Sequence, residues 1–284
     1  GPWTTERQPN IPTAVEDIVA DGVACVEAGA AVIHVHAYDP ATGRQKDDPD
    51  IYAAIVDGIR ARADAIVYPT IPLAGFPGQP TIDGPARYAH QAALAERGLL
   101  EWAVVDPGSV NISELAAVAR DEPGFVYLNP EEHVRAGLAV AARHGVSPSF
   151  AIYEPGFLRL GAALARRFPG IGPPVYRFMF SDSLSFGFPP EPWALDAYLR
   201  LLEREAPGAA WMIAGLGVDI APLIPVAVER DGHVRVGLED MPFGCAARNV
   251  ELVRAAVGTI AAAGGRVARA AEIRVAMDPG SSPG

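Results

Sequence analysis

The chain has 284 residues, 50% of them hydrophobic, and a formal net charge of −11. That length and apolar fraction predict one large domain over residues 1–284, with a frayed tail at 278–284. The acidic balance argues against a nucleic-acid partner, and two cysteines (Cys25 and Cys245) exclude a disulfide framework and a thiolate metal site, which favours a cytoplasmic setting.

Helices and strands alternate along the chain. Thr13, with Glu16 three residues later, forms a predicted capping box for a first helix that runs to residue 28. Asp48, followed by Pro49, predicts the start of the next helix, which runs to residue 63. The strands that we predict are 31–38, 65–70, 102–106, 149–153, 176–180, 210–214 and 234–238, with a further short extension at 125–128. The later helices that we predict are 84–97, 113–120, 130–144, 157–167, 193–204, 220–228 and 249–263.

This alternation predicts a parallel sheet, and eight such units close a (β/α)8 barrel, the TIM barrel. With seven good strands, we predict that the first strand is truncated or missing at the N-terminus. An open doubly wound sheet is the alternative, but no Gly-x-Gly-x-x-Gly follows an early strand. The most apolar stretch, 209–228, contains Asp219, Pro222 and Pro225, so no membrane span is predicted. No basic N-terminal region precedes an apolar run, so no signal peptide is predicted.

Polar side chains follow the first and last of these strands. His34 and His36 are two residues apart, so in a strand they project from one face, and Glu239 follows the last strand. Two imidazoles and a carboxylate form a ligand set for a divalent metal with open positions. We therefore hypothesise that these residues hold one catalytic metal, with zinc preferred. The alternative is two histidines that are satisfied by hydrogen bonds in a polar barrel mouth.

Three segments resemble one known family. Residues 29–36 (Gly-Ala-Ala-Val-Ile-His-Val-His) with Asp39-Pro40, residues 232–240 (Gly-His-Val-Arg-Val-Gly-Leu-Glu-Asp) and residues 249–253 are similar to the β-keto acid cleavage enzymes. The best-known type of that family is the 3-keto-5-aminohexanoate cleavage enzyme. The resemblance implies a zinc-dependent TIM barrel that forms a homo-oligomer, a tetramer or a dimer. It also implies a reaction of a β-keto acid with acetyl-CoA to give acetoacetate and a new CoA thioester.

The resemblance also implies roles for individual residues. They are the zinc ligands His34, His36 and Glu239, the general base Asp240, the cation Arg235 that orients it, and the substrate-binding residues Glu6, Thr70, Ser109 and Asn111. Among the last group, Glu6 matches a position that can recognise an amino group. For Arg235, an ion pair in the barrel core remains an alternative to the catalytic role.

The chain departs from the family pattern around the substrate. Ile71-Pro72 stands where relatives often have Gly-Gly, and Tyr38 stands where they commonly carry arginine. Ala151 occupies a position where a carboxylate is common, although Glu154 follows three residues later. Residues 241–243 (Met-Pro-Phe) replace an Asn-led run. The metal and base positions are kept while the substrate pocket differs, so the sequence does not predict which β-keto acid is used.

Two other functions share the His-x-His signal. A hydrolase of the amidohydrolase type needs further histidines at later strand ends, whereas His90, His133 and His144 lie on predicted helices and His233 lies at the wrong end of its strand. A non-catalytic barrel could keep zinc as a structural or sensing element. Two histidines and a carboxylate also suit iron(II), so an oxygenase is a third alternative.

Overall fold

A computed structural model describes residues 3–75 and 81–278 of the chain. Residues 279–284 of the predicted frayed tail lie outside the described residues. Within these ranges the strands are β1 (Val32–Val35), β2 (Ile66–Pro69), β3 (Trp102–Val104), β4 (Val110–Ile112), β5 (Phe125–Tyr127), β6 (Ser147–Ile152), β7 (Val175–Phe180), β8 (Ala210–Gly215) and β9 (His233–Val234). The α-helices are α1 (Val15–Glu27), α2 (Pro49–Arg60), α3 (Gly84–Arg87), α4 (Ala89–Glu96), α5 (Leu115–Val118), α6 (Glu131–His144), α7 (Pro155–Ala165), α8 (Pro192–Glu205), α9 (Ile224–Glu229), α10 (Asn249–Ala262) and α11 (Ala270–Ala276), and a 3-10 helix spans Ala221–Leu223.

The sheet strands run parallel, as predicted. β1 pairs with β2, and β3, β6, β7, β8 and β9 pair in that order. These are the seven predicted strands, and the α/β class with a parallel sheet is confirmed. The extension at 125–128 is β5, which pairs antiparallel with β4 in a hairpin.

The last strand is shorter than predicted. β9 covers two residues instead of 234–238, and Arg235 adds one more hydrogen bond, from its N–H to the carbonyl of Ile213, 2.9 Å away. From Gly237 the chain turns, because the Gly237 carbonyl accepts from the N–H groups of Asp240 and Met241. This turn brings residues 239 and 240 to the end of the sheet.

Helix boundaries follow the sequence signals in part. Asp48 caps α2 as predicted, since its carboxylate accepts from the N–H groups of Asp50 and Ile51. The capping box at Thr13 was wrong: Ala14 precedes α1 in an extended conformation and makes no side-chain cap. The predicted helix 84–97 divides at Tyr88 into α3 and α4, 113–120 contracts to α5, and α11 was not predicted.

The core lies between the strands and the helices that cover them. Every residue of β6 and β7 is buried, as expected of parallel strands with both faces covered. Phe178 of β7 stacks on Tyr198 of α8 with ring centroids 4.8 Å apart. Each such buried side chain contributes about 1.5–3 kcal/mol. None of the described helices has the length and apolar character that crossing a bilayer requires.

The N-terminal segment packs against the turn that follows β9. Trp3 donates from its indole N–H to the carbonyl of Glu239 at 3.0 Å. The side chain of Gln8, which is fully buried, donates to the carbonyl of Leu238 at 2.8 Å and accepts from the N–H of Cys245. These contacts fix the turn, and the site described below depends on where that turn lies.

Candidate active site

A cavity of about 90 Å³ lies at the C-terminal ends of the parallel strands. Each strand of the parallel set contributes a wall residue from its C-terminal half or from the loop that follows it. The polar members of the wall are His34, His36, Gln45, Thr70, Asp106, Tyr127, Tyr153, Arg177, Arg235, Glu239 and Asp240. In a sheet of parallel strands with crossover helices, this edge is where ligands bind.

His34, His36 and Glu239 meet at one side of this cavity. The imidazole Nε2 atoms of His34 and His36 lie 3.6 and 3.1 Å from the two carboxylate oxygens of Glu239. The two rings are nearly perpendicular, with centroids 4.9 Å apart. One potential ligand atom from each residue lies within 4.8 Å of the other two. His34 and Glu239 are 205 residues apart in the sequence. The turn after β9 brings Glu239 next to the two histidines.

These side chains fit a divalent cation. The set of two imidazoles and a carboxylate is one that binds zinc or iron(II). His34 Nδ1 is buried and has no hydrogen-bond partner among the described residues. Burial lowers the pKa of both imidazoles below the usual value, which favours the neutral form that binds metals.

A second layer of side chains orients His36. Gln45 donates from its amide nitrogen to both oxygens of Asp47, at 3.0 and 2.9 Å, so its amide oxygen faces the ring of His36. That oxygen lies 3.0 Å from His36 Nδ1. Since an oxygen accepts, Nδ1 carries the proton and Nε2 keeps its lone pair on the side of Glu239. Tyr52 holds Asp47 in turn through a 2.8 Å hydrogen bond.

Arg235 joins the two acids of the turn. Its guanidinium contacts the carboxylate of Glu239 and lies 2.9 Å from Asp240 Oδ1 and 3.2 Å from Asp240 Oδ2. Although burial alone acts to raise it, the pKa of Glu239 is held well below its usual value by nearby positive charge, Arg235 included. Burial raises the pKa of Asp240 to about 6, against the opposing effect of Arg235. The two neighbouring acids therefore differ in their proton affinity.

A buried cation lies on another part of the wall. Arg177 of β7 is 4% exposed, and its Nε donates to the hydroxyl of Ser149 at 2.9 Å. Its Nη2 lies 3.5 Å from Asp106 Oδ1. Asp106 also accepts from the hydroxyl of Tyr127 at 2.6 Å and from the N–H of Ala151 at 3.2 Å.

Of the four residues predicted to bind substrate, Thr70 lines the cavity. Glu6, Ser109 and Asn111 do not belong to its wall, and all three are exposed. The hydroxyl of Ser109 accepts from the N–H of Asn129 at 2.7 Å instead. The structure therefore does not bring these three side chains together with the metal ligands.

The residues at which the sequence departs from the family pattern lie in different parts of the structure. Ala151 pairs in register with Arg177 on the neighbouring strand, so an apolar methyl group stands beside the buried cation. Tyr38 is buried and lies outside the cavity wall. Glu154 accepts from the N–H of Gly187 at 3.1 Å and is also outside the wall.

The histidines that line the cavity are His34 and His36. His90 lies 2.8 Å from the carbonyl of Thr70, and His133 lies 3.2 Å from a guanidinium nitrogen of Arg87. Neither lines the cavity, and the same holds for His144 and His233. The further histidine ligands that an amidohydrolase-type site needs are therefore absent from the described wall.

Sequence reasoning missed five polar residues of the wall, which are Gln45, Asp106, Tyr127, Tyr153 and Arg177. Arg177 had a signal, because it is the charged residue in the apolar strand 175–180. Asp106 had a weaker one, since it ends the predicted strand 102–106. Gln45 had none, because it lies in a loop and reaches His36 only through the fold.

Comparisons with known proteins point to one family. A family model described as beta-keto acid cleavage enzyme matches residues 1–278. The chain is 25% identical to the 3-dehydrocarnitine:acetyl-CoA trimethylamine transferase of Rhizobium meliloti, covering 95% of this chain and 91% of that protein. It is 27% identical to the 3-oxoadipate:acetyl-CoA acetyltransferase of Cupriavidus necator, covering 82% of this chain and 74% of that protein.

Among solved structures, the chain is similar to a binary complex of ObcA with oxaloacetate. The TM-score is 0.74 at 18% sequence identity, over 95% of this chain and 67% of that chain. At this identity the similarity concerns the fold alone, and the fold of that structure is TIM-barrel-like.

Proposed function

This chain belongs to the β-keto acid cleavage enzyme family, and we propose that it transfers the acyl group of a β-keto acid to coenzyme A. The bond between carbons 2 and 3 of the keto acid breaks. Carbon 2, with its carboxylate, joins the acetyl group of acetyl-CoA to give acetoacetate, and the released coenzyme A sulfur bonds to carbon 3 in the new thioester. No oxidant or reductant is needed.

The observation that carries this proposal is the convergence of five side chains on one cavity. His34, His36 and Glu239 form a ligand set, and Asp240 and Arg235 lie directly beside it. The acids come from one tight turn, so a single element positions both a ligand and a base. The resemblance of the sequence and the family match both lead to this reaction class.

We propose that the three ligands hold zinc, which when bound supplies Lewis-acid stabilisation of negative charge on the ketone oxygen. Asp240 accepts a proton from carbon 2 of the β-keto acid. Arg235 donates a hydrogen bond to Oδ2 of Asp240 and lies 2.9 Å from its Oδ1, which holds the carboxylate in place. Thr70 offers a hydroxyl to the substrate from the wall beside His90.

The apolar part of the cavity wall excludes water from the site. Leu73, Ile112, Phe125 and Met179 line the same cavity as the acids. Apolar walls exclude water, and electrostatic interactions strengthen as the local dielectric constant falls. Exclusion of water also protects the acyl group from hydrolysis before it reaches coenzyme A.

A direct test is a panel of β-keto acids, each incubated with acetyl-CoA and the metal-loaded protein. We expect acetoacetate and a new acyl-CoA to form in equal amounts. Omission of acetyl-CoA is the matched control and abolishes both products.

Hydrolysis of an amide or lactone without this exchange contradicts the proposal and favours a hydrolase of the amidohydrolase type. Tight metal binding without any turnover favours a non-catalytic zinc barrel. Metal analysis of protein purified without added metal distinguishes zinc from iron.

We also propose a closed, single-domain (β/α)8 barrel. In support, the turn after β9 reaches the end of β1 through the ion pairs of Glu239 with His34 and His36. The segment from Trp3 to Gln8 packs against that turn, where a truncated first strand would lead. Limited proteolysis tests the single domain: a stable fragment cut within the barrel contradicts it.

The proposal includes three further predictions, on the cellular setting, the oligomeric state and the substrate contacts. The thiols of Cys25 and Cys245 are free, which supports a reducing, cytoplasmic setting. A homo-oligomer follows from the family resemblance, and light scattering of the purified protein measures its mass. Glu6, Ser109 and Asn111 remain proposed substrate contacts, to be tested by alanine substitution and KM.

A further inference from the structure

Arg177 has the position of a ligand-binding cation. It projects from the middle of β7 into the wall of the cavity that Asp240 and the metal ligands share. Burial of a guanidinium is costly unless its charge is compensated. Its one carboxylate partner among the described residues is Asp106, at 3.5 Å, which is long for a charge-assisted hydrogen bond.

Asp106 is held mainly by other donors. Its Oδ2 accepts from the hydroxyl of Tyr127 at 2.6 Å, and its Oδ1 accepts from the N–H of Ala151 at 3.2 Å. The hydrogen bonds and the ion pair of Arg177 use Nε and Nη2. The two N–H groups of Nη1 are therefore left for a ligand in the part of the chain that the structure describes.

We propose that Arg177 binds a second anionic group of the substrate, so that the β-keto acid used by this chain is a diacid. This inference rests on the proposed function, since it names the substrate class of the same site. One carboxylate of such a substrate belongs to the β-keto acid unit, and the other pairs with the guanidinium of Arg177.

The remaining charges of the wall favour an anion over a cation. Arg235 is engaged by Glu239 and Asp240, so it is committed to the turn. Glu6, the predicted partner of a substrate amino group, is exposed and outside the cavity wall. Asp106 faces Arg177 and is already held by Tyr127 and Ala151. Each acid of the described wall has an arginine as its ion-pair partner, whereas Nη1 of Arg177 has no contact with a described carboxylate.

The residue at position 151 explains why Arg177 lacks a carboxylate partner on the neighbouring strand. Ala151 and Arg177 are register partners on neighbouring parallel strands, so their side chains leave the sheet on the same face. A carboxylate at position 151 would stand beside Arg177 and pair with it. The methyl group of Ala151 offers no such partner and leaves the guanidinium for substrate.

The test measures binding of non-reactive acids by calorimetry with the metal-loaded protein. Glutarate and adipate carry two carboxylates, and butyrate carries one. We expect the wild-type protein to bind the better diacid about 10- to 100-fold more tightly than butyrate, from a charge-assisted hydrogen bond. Arg177→Met should remove that preference and leave butyrate affinity within about twofold, while Arg177→Lys should retain part of it.

The matched pair Ala151→Glu and Ala151→Gln separates charge from size. Ala151→Glu should cancel the diacid preference because the new carboxylate pairs with Arg177, whereas Ala151→Gln, of the same size, should retain it. Asp106→Asn removes a competing carboxylate and should tighten diacid binding. Equal weakening of diacid and butyrate in Arg177→Met, or no diacid preference in the wild type, overturns the proposal.

Turnover distinguishes this inference from the function on which it rests. The wild type should cleave a β-keto diacid with a higher kcat/KM than the β-keto monoacid of equal length, and Arg177→Met should lose that difference. Diacid binding that depends on Arg177, without any acetoacetate, overturns the proposed reaction and supports the anion site. Acetoacetate formation with no effect of Arg177→Met on selectivity overturns the anion site alone.

Discussion

Two regions of the same cavity attract ions of opposite charge. The metal corner (His34, His36 and Glu239) combines two neutral donors with one carboxylate, so it attracts a cation. The arginine wall (Asp106, Ser149 and Arg177) contains a buried cation with a distant carboxylate partner, so it attracts an anion. We therefore infer that the metal corner sets the reaction and that the arginine wall selects the substrate.

Loss of a ligand should have the largest effect. His36→Ala removes one of three donors, so we expect the bound metal to fall from about one ion per chain to near none. Turnover should fall by more than the 10- to 100-fold or so that loss of an outer partner costs. Elemental analysis and the acetoacetate assay measure the two effects together. His144→Ala, at the end of α6 and outside the cavity wall, is the control and should retain both.

Asp240→Asn tests the base without removing a ligand. The amide cannot take a proton, so we expect turnover to fall about 10²- to 10⁴-fold, the range for general acid–base catalysis. Metal content should stay at the wild-type level, because Asp240 is not in the ligand set. Near-full activity of this variant would show that the base is another residue.

Gln45→Leu separates orientation of a ligand from ligation. The change removes the acceptor that fixes His36 Nδ1–H, so we expect metal affinity to fall about 10- to 100-fold. Competition with a fluorescent chelator measures this affinity. Lys46→Ala, the exposed neighbour, is the control and should have no effect. Wild-type affinity in Gln45→Leu contradicts the inferred tautomer.

The smallest effect is expected in the arginine wall. Ser149→Ala removes the hydroxyl that accepts from Arg177 Nε, so the guanidinium loses one of its fixed contacts. We expect diacid affinity to fall about 3- to 10-fold, because the guanidinium keeps its charge and loses only one of the contacts that orient it, and metal affinity to stay unchanged. Ser147→Ala, on the same strand and face, is the control. A change in metal affinity would show that the two regions are not separate.

Fold class and metal corner were accessible from the sequence, because both depend on local patterns. Strands and helices alternate with clear periodicity, and the seven predicted strands are those of the parallel pairs. The His-x-His pattern lies within one strand, so its spacing alone predicts that both imidazoles project from one face. The sequence placed the acids at 239 and 240 near a strand end, but their direction depends on the turn at Gly237. The shortened β9 was not predicted, because the turn at Gly237 depends on hydrogen bonds that the neighbouring loops permit.

The arginine wall was decided by the tertiary structure. Asp106 lies just after β3, Ser149 lies on β6 and Arg177 lies on β7. The contacts of Arg177 with the other two residues form only when β3, β6 and β7 are adjacent in register. Gln45 likewise reaches His36 from a loop. Local sequence therefore determined which chemistry the chain carries, because neighbouring residues share a strand. Strand order and register determined which charge faces the substrate, because only packing brings distant strands together.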